Sequence, residues 1–114
     1  FNGRACLELP DNILAWSAGM IPAPDCADIQ MLMFDALSAA QLETSTSLYA
    51  FALPYMVFSM QSLDVAILYG KRMFARRAGI RNDCTCRVPA LRPSPFLDAA
   101  MDRWSADFGP YRRC

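Results

Sequence analysis

The segment LYAFALPYMVFSM at residues 48–60 decides the fold, because it is apolar on nearly every side of a helix. A helix that is apolar all round is buried, either in a protein core or in a membrane. The segment lies within residues 44–70, which carry a single charge, Asp64, and end against Lys71 and Arg72. The first question that this sequence raises is therefore whether residues 44–70 cross a membrane.

Charge is divided around this segment. Residues 1–64 contain seven acidic residues and one basic residue, whereas residues 65–114 contain ten basic and four acidic residues. The halves cancel to a formal net charge of zero. In membrane proteins, an excess of Lys and Arg beside a span marks the side that stays inside. The four basic residues after the apolar segment would hold the C-terminal side on the stromal or matrix face: Lys71, Arg72, Arg76 and Arg77.

The length of the segment favours a span, and its composition weakens the case. A span needs about 20 apolar residues, and twenty residues separate Glu43 from Asp64. The solidly apolar run is shorter, and Ser59 and Gln61 follow near its end. We predict one transmembrane helix at about 47–70, kinked by Pro54 and packed beside partner helices that accept its polar groups. The alternative is a buried helix of a soluble protein.

Residues 25–80 are predicted to form a helical core, in a fold that is mainly α because no run alternates with period two. Asp25 is expected to cap a helix that runs to about Glu43, and Gly79 is expected to end the last core helix. The first helix has an apolar stripe of Ile29, Leu32, Met33, Ala36, Leu37 and Ala40. After Gln61 the apolar stripe consists of Leu63, Ala66, Ile67, Gly70, Met73 and Phe74.

Two extended, Pro-rich arms are predicted to flank this core. Residues 1–24 are expected to be irregular, and residues 81–114 to carry one short helix at about 95–107 that begins at Ser94-Pro95. Apolar arms of this kind suit docking on other proteins. The interaction candidates are Trp16, Asp64, Lys71, Arg72, Arg76, Arg77 and Trp104. For Asp64, a charge in an apolar context, the expected partner is Lys71, Arg72 or a neighbouring subunit.

The five cysteines do not predict a metal site, because Cys84-Thr85-Cys86 is a poor half of the usual zinc spacing and the other three are scattered. If the span is real, it separates Cys6 and Cys26 from the rest. The possible disulfides are then Cys6–Cys26, and Cys84 or Cys86 with Cys114. The alternative is five unpaired, mostly buried thiols, as expected in a reducing compartment.

The absence of His excludes several kinds of function. Ser–His and Cys–His nucleophile pairs, and zinc or haem ligated by His, all require an imidazole. We therefore predict that the chain is not an enzyme, and no particular cofactor follows from the sequence. A bound chlorophyll would need a weaker ligand than His. The basic residues could bind nucleic-acid phosphates, but no helix-turn-helix or zinc-finger pattern accompanies them.

The sequence thus predicts a small non-catalytic accessory subunit of a larger membrane complex, in contact with other subunits and with lipid. Phe1 resembles the residue at the processing site of proteins imported into complex plastids of red-algal ancestry. The expected setting is therefore a photosystem or respiratory complex, in a thylakoid or mitochondrial inner membrane. The first alternative is a soluble all-α protein-interaction domain. The second is a nucleic-acid-binding regulator with a basic tail.

Overall fold

The computed structural model describes residues 6–15, 17–19, 21–81, 85 and 92–111. Within these ranges every regular element is helical, which confirms the prediction of a mainly α fold. The helices are α1 (Leu9–Leu14), α2 (Ala27–Ser38), α3 (Leu42–Met60), α4 (Leu63–Ala78) and α5 (Pro95–Phe108). A 3-10 turn at Gly109–Tyr111 follows α5 directly.

The single helix predicted at about 47–70 is wrong, because two helices share this stretch. Between α3 and α4 lies Ser62 in an extended conformation, with φ −158° and ψ 159°. Its hydroxyl accepts a hydrogen bond of 3.2 Å from the backbone N–H of Val65. This is the N-cap arrangement, which starts a new helix by satisfying an N–H that has no partner within the helix. Among the residues described, no helix has the length and the apolar character that a membrane crossing needs.

Helix α3 continues through Pro54 and is partly buried against the rest of the protein. Tyr55 and Met56 are fully buried, whereas the side chain of Val57 is 54% exposed. The apolar segment is therefore covered on one side and open on the other. The exposed side of α3 therefore adds apolar residues to the surface of the protein.

Helix α2 is shorter than predicted at both ends. Its N-cap residue is Cys26 and not Asp25, and it ends at Ser38, before the chain turns at Ala40 with φ 58°. Asp25 does not cap the helix because its carboxyl group accepts a hydrogen bond from Tyr55 instead. The predicted core stripe is present in part: Ile29, Met33 and Ala36 are buried, Leu32 and Leu37 are partly buried, and Ala40 is exposed.

The predicted core face of α4 is largely wrong. Of the expected stripe only Met73 is buried, while Leu63 is 74% and Phe74 is 44% exposed. The buried face consists of Val65, Leu68, Tyr69, Met73 and Ala75. The apolar pattern alone is not sufficient here, because it does not show that the arginines of α4 bind acidic groups of α2 and α5. Helix α4 therefore has two apolar faces, one packed and one open.

Helix α5 runs in the same direction as α4 and packs on the aromatic core. Arg72 binds Asp98 at 2.9 Å and Arg76 binds Asp102, so the order of the partners rises along both helices. At the start of α5, the backbone N–H of Ser94 donates to the Tyr69 hydroxyl at 3.0 Å. The bounds of α5 lie within one residue of the predicted helix at about 95–107.

The predicted extended arms are not seen in the described residues. On the N-terminal side, Leu9 of α1 is 1% exposed, and the Tyr49 hydroxyl donates to the carbonyl oxygen of Leu7 at 2.7 Å. On the C-terminal side, Phe108 is fully buried and its ring meets that of Tyr55 edge-on at 5.6 Å. Both ends therefore contribute to the core, because their apolar residues find cover within the chain itself.

Candidate functional site

A cleft of about 360 Å³ opens where the segment before α2 meets the end of α3 and the open face of α4. Its apolar walls are formed by Ala23, Pro24, Met60, Ala66, Gly70 and Phe74. Polar groups enter it from Asp25, Ser59 and Lys71. An apolar hollow with a few converging polar groups is the usual form of a binding site. A second hollow near Glu43 and Phe51 is more open and has no buried ionisable group in its lining.

Asp25 provides the buried charge of the cleft. The residue is 4% exposed, and its carboxyl group accepts a hydrogen bond from the Tyr55 hydroxyl. Burial raises the pKa of Asp25, while the Tyr55 hydrogen bond, a backbone hydrogen bond and the charge of Arg77 oppose that rise. Burial and the neighbouring Asp25 also raise the pKa of Tyr55, so that the phenol keeps its proton and acts as the donor.

Arg77 is the nearby buried cation, and its Nη1 and Nη2 donors are directed to groups other than the Asp25 carboxyl, while its buried Nε has no partner among the described residues. Its guanidinium binds both carboxylate oxygens of Asp28, one of them at 2.8 Å. It also donates to the carbonyl oxygens of Asp25 at 2.8 Å and Phe108 at 3.3 Å. The guanidinium carbon lies 5.5 Å from the centre of the Phe108 ring. Among the described side chains, Tyr55 is the only one bonded to the carboxyl group of Asp25.

Gly70 leaves that carboxyl group open to the cleft. A β-carbon built at Gly70 would lie 3.7 Å from Oδ2 of Asp25, which is ordinary van der Waals contact. Without this atom, a ligand can approach the carboxyl group past the α4 backbone. Ala66, one turn earlier, is also small and lines the same cleft. The two residues form a notch in the open face of α4.

Gln30 fixes the wall of the cleft that precedes α2. Its side-chain oxygen accepts from the backbone N–H of Ala23 at 3.0 Å, and its nitrogen donates to the Cys26 sulfur at 3.1 Å. The nitrogen also lies 3.7 Å from the Met56 sulfur. A buried amide that reaches α3 in this way holds the segment before α2 against the core, which keeps the cleft in shape.

The two described cysteines, Cys6 and Cys26, are buried free thiols. Burial raises the pKa of Cys6 to about 11, and burial together with Asp25 raises the pKa of Cys26 well above its ordinary value. Protonated thiols are poor nucleophiles and poor metal ligands. A Cys6–Cys26 disulfide stays a prediction, while Cys84, Cys86 and Cys114 lie outside the described residues. Where the structure is described, no three Cys, Asp or Glu residues are grouped as a metal site.

The interaction candidates lie in different places. Lys71 lines the cleft. Asp64 is exposed in the first turn of α4, where a negative charge interacts favourably with the helix dipole. Of the expected partners of Asp64, Arg72 binds Asp98, while pairing of Asp64 with Lys71 or with a neighbouring subunit stays a prediction. Trp104 packs on Phe58, with 4.9 Å between the centres of the two rings. Trp16 lies outside the described residues.

The sequence alone hardly predicts which residues form the floor of the cleft. Asp25 follows a proline and precedes a helix, a position that suggests a cap, and its partner Tyr55 is 30 residues away. Gly70 looks like an ordinary small residue within an apolar stripe. The one local signal is that α4 carries apolar residues on more than one face, which is typical of a helix with two partners.

Comparison with protein-family models, with curated proteins and with solved structures finds no match for this chain. The functional argument therefore depends on the cleft and the surface around it.

Proposed function

We propose that this chain is a non-catalytic accessory subunit that binds another protein on the open face of α4. The observation that carries the proposal is the second apolar face of this helix. Leu63 is 74% exposed and Phe74 is 44% exposed, and Met60 of α3, which shares the cleft with Phe74, is 40% exposed. Isolated exposed apolar residues are common, whereas a group of them around a cleft is typical of a protein-binding surface.

The shape of this face suits a helix of the partner. Ala66 and Gly70 lie one turn apart and keep their surface low, so a second backbone can come close. A helix that lies in an apolar groove is a common mode of protein recognition, with anchors spaced every three to four residues. Asp64 and Lys71 stand two turns apart on α4 and offer one charge of each sign to the partner.

The groups in the cleft support binding better than catalysis. The Ser59 hydroxyl donates to the carbonyl oxygen of Met56 in its own helix, at 3.0 Å, and not to a base. Catalysis by a serine needs a base within hydrogen-bond reach that removes its proton. Asp25 is held by Tyr55, and Lys71 is exposed. We therefore assign the cleft to recognition.

An organellar membrane complex, such as a photosystem or a respiratory complex, is the assembly in which we propose to seek the partner first. This setting rests on the sequence alone, and a soluble assembly is the alternative. Binding to nucleic acid is less well supported, because three arginines that could neutralise phosphates are bonded to carboxylates. The pairs are Arg72 with Asp98, Arg76 with Asp102 and Arg77 with Asp28.

Photo-crosslinking within the native assembly tests the proposal. A photoreactive amino acid replaces Leu63 in the tagged full chain, and a matched chain carries it in place of Phe96, which is 78% exposed but lies on α5 and not on the open face of α4. We expect position 63 to form one cross-link with a partner protein, mapped by mass spectrometry to an amphipathic helix. The same products from both positions, or products from position 96 alone, would reject the α4 face as the docking surface.

A further inference from the structure

The buried carboxyl group of Asp25 faces the cleft, and no cation among the described side chains is bonded to it. Buried carboxylates are normally paired with a cation or bound by several donors, because an unpaired charge in an apolar site is costly. The described donors to this carboxyl group are neutral: the phenol of Tyr55 and a backbone N–H. The floor of the cleft therefore offers a binding position for a positively charged group.

Among the residues that the structure describes, the charged and titratable groups around Asp25 do not fill this position. From α3 comes the Tyr55 hydroxyl, and from the α2 end come the Cys26 thiol and the Asp28 carboxylate, which is engaged by Arg77. From α4 come Arg77, whose donors reach Asp28 and two carbonyl oxygens, and Lys71, which lines the cleft but is exposed. A cation supplied from outside would meet Asp25 directly.

We propose that the cleft receives the side chain of a Lys or Arg on the partner protein, whose charged end pairs with Asp25. The inference rests on the proposed function, since it names the anchor by which the partner helix is held on α4. Lys and Arg carry a long apolar stem with the charge at its tip. The stem would pass between Met60 and Phe74, and the gap at Gly70 would let the tip reach Oδ2 of Asp25.

The chemistry of the floor favours a cation over other anchors. An apolar side chain would remove the remaining water from Asp25 and give nothing in return, which costs free energy. A carboxylate anchor would place two negative charges together and is disfavoured for that reason. A Lys or Arg anchor is also consistent with the frequent use of arginine at the energetic centres of protein interfaces.

Small probes test the anchor in the full chain without a partner. Butylammonium carries a cation on an apolar stem, and butanol and butyrate match its stem without that charge. We expect butylammonium to shift the backbone NMR signals of Gly70 and Asp25 saturably. The two matched probes should bind at least about tenfold more weakly than butylammonium. Equal binding of the three probes would overturn the inference.

Two variants extend this test. Asp25→Asn keeps an oxygen that can accept from Tyr55, and Gly70→Ala keeps Asp25 and all its hydrogen bonds while narrowing the approach. We expect Asp25→Asn to weaken binding of butylammonium by about tenfold or more, because truncating one side of a buried charge pair typically costs that much. We expect Gly70→Ala to weaken it too, because the added β-carbon, 3.7 Å from Oδ2 of Asp25, occupies the approach to the carboxyl group. Unchanged binding to Gly70→Ala and Asp25→Asn, with the fold verified by NMR, would contradict the assignment of the cation to this cleft.

The failure of the anchor can be told apart from the failure of the docking face. A cross-link at position 63 that persists unchanged in Asp25→Asn would reject the anchor and keep the docking face. Absence of any cross-link at position 63 in the chain with Asp25 intact would reject the docking face itself. Butylammonium binding that depends on Asp25, combined with docking that does not, would make the ligand a free amine and overturn its assignment to a partner side chain.

Discussion

Asp25 and Arg77 are two buried charged residues of one network, and they differ in how fully they are bonded. The side chain of Arg77 is 8% exposed and binds Asp28, two carbonyl oxygens and the face of an aromatic ring. Asp25 is 4% exposed, and among the described side chains its carboxyl group bonds only to Tyr55 and faces an open cleft. The Nη1 and Nη2 donors of Arg77 are bonded within the fold, although its buried Nε has no hydrogen-bond partner among the described residues. The carboxyl group of Asp25 is partly bonded and lies beside a cavity, and such a group is available to a ligand.

Position explains this difference. Arg77 lies in the last turn of α4, between the start of α2 and the end of α5, and its contacts connect three helices. Asp25, which precedes α2, lies beside Gly70, two turns before Arg77 on α4, where the glycine leaves room. The C-terminal end of α4 therefore connects the helices, whereas the middle of α4 borders the cleft. Three changes test this contrast, from the largest expected effect to the smallest.

Replacing Arg77 should give the largest loss of stability. Arg77→Met removes the cation that pairs with Asp28 and leaves that carboxylate partly buried, which costs about 3–5 kcal/mol of unfolding free energy. The control is Arg76→Met, which breaks the exposed pair with Asp102 and should cost no more than about 1 kcal/mol. Urea denaturation measures both values. Equal losses from the two variants would mean that Arg77 does not connect the helices.

Replacing Asp25 should change how stability depends on pH. Because burial raises the pKa of Asp25 above its ordinary value of 3.8, the folded state binds the proton more tightly than the unfolded state. The resulting stability is fully present below pH 3.8 and is lost as pH rises through the higher pKa of the folded state. Asp25→Asn has no such loss, so its stability relative to the unmodified chain should increase with pH in that window.

Urea titrations at a series of pH values, at constant ionic strength, measure this difference. Asp35→Asn serves as the matched control, since Asp35 is an exposed acidic residue on α2. A stability difference between Asp25→Asn and the unmodified chain that stays constant with pH, or falls, would mean that the carboxyl group of Asp25 is not disfavoured in its charged form.

Replacing Gly70 should have the smallest effect on stability, and in the opposite direction. Gly70→Ala lies inside α4, and alanine favours a helix by up to about 1 kcal/mol over glycine. The new β-carbon lies at an ordinary contact distance from Asp25, so no clash offsets this gain. Thermal unfolding should show a small rise in Tm, together with weaker binding in the cleft. A fall in Tm would indicate that the notch is required for folding and not for binding.

The sequence predicts the helices better than the contacts between them. The bounds of α5 and part of the core stripe of α2 follow from capping residues and from spacing, which are local properties. The break at Ser62 is not predicted, although Ser is a common N-cap, because a continuous helix satisfied the same apolar pattern. The break at Ser62 lets α4 pack back on α3, which a continuous helix cannot do, and this contact belongs to the tertiary fold.

The candidate site could not be predicted, for a related reason. Its central pairs join residues far apart in sequence: Tyr55 with Asp25 over 30 positions and Arg77 with Asp28 over 49. No local pattern marks such pairs, and Asp25 resembles a helix cap until its partner is seen. The sequence predicts Arg72, Arg76 and Arg77 on the inner side of a membrane, whereas in the fold α2 and α5 place carboxylates against them.

The most direct test of the contrast between the two charges is the pKa of Asp25, measured by carbon-13 NMR of its carboxyl group in the full chain with and without butylammonium. The free chain should show a pKa above the ordinary value of 3.8, and saturating butylammonium should lower it, because a bound cation favours the charged carboxylate. The claim that this cleft binds a cation would be contradicted if butylammonium left the pKa of Asp25 unchanged and butanol produced the same spectral shifts.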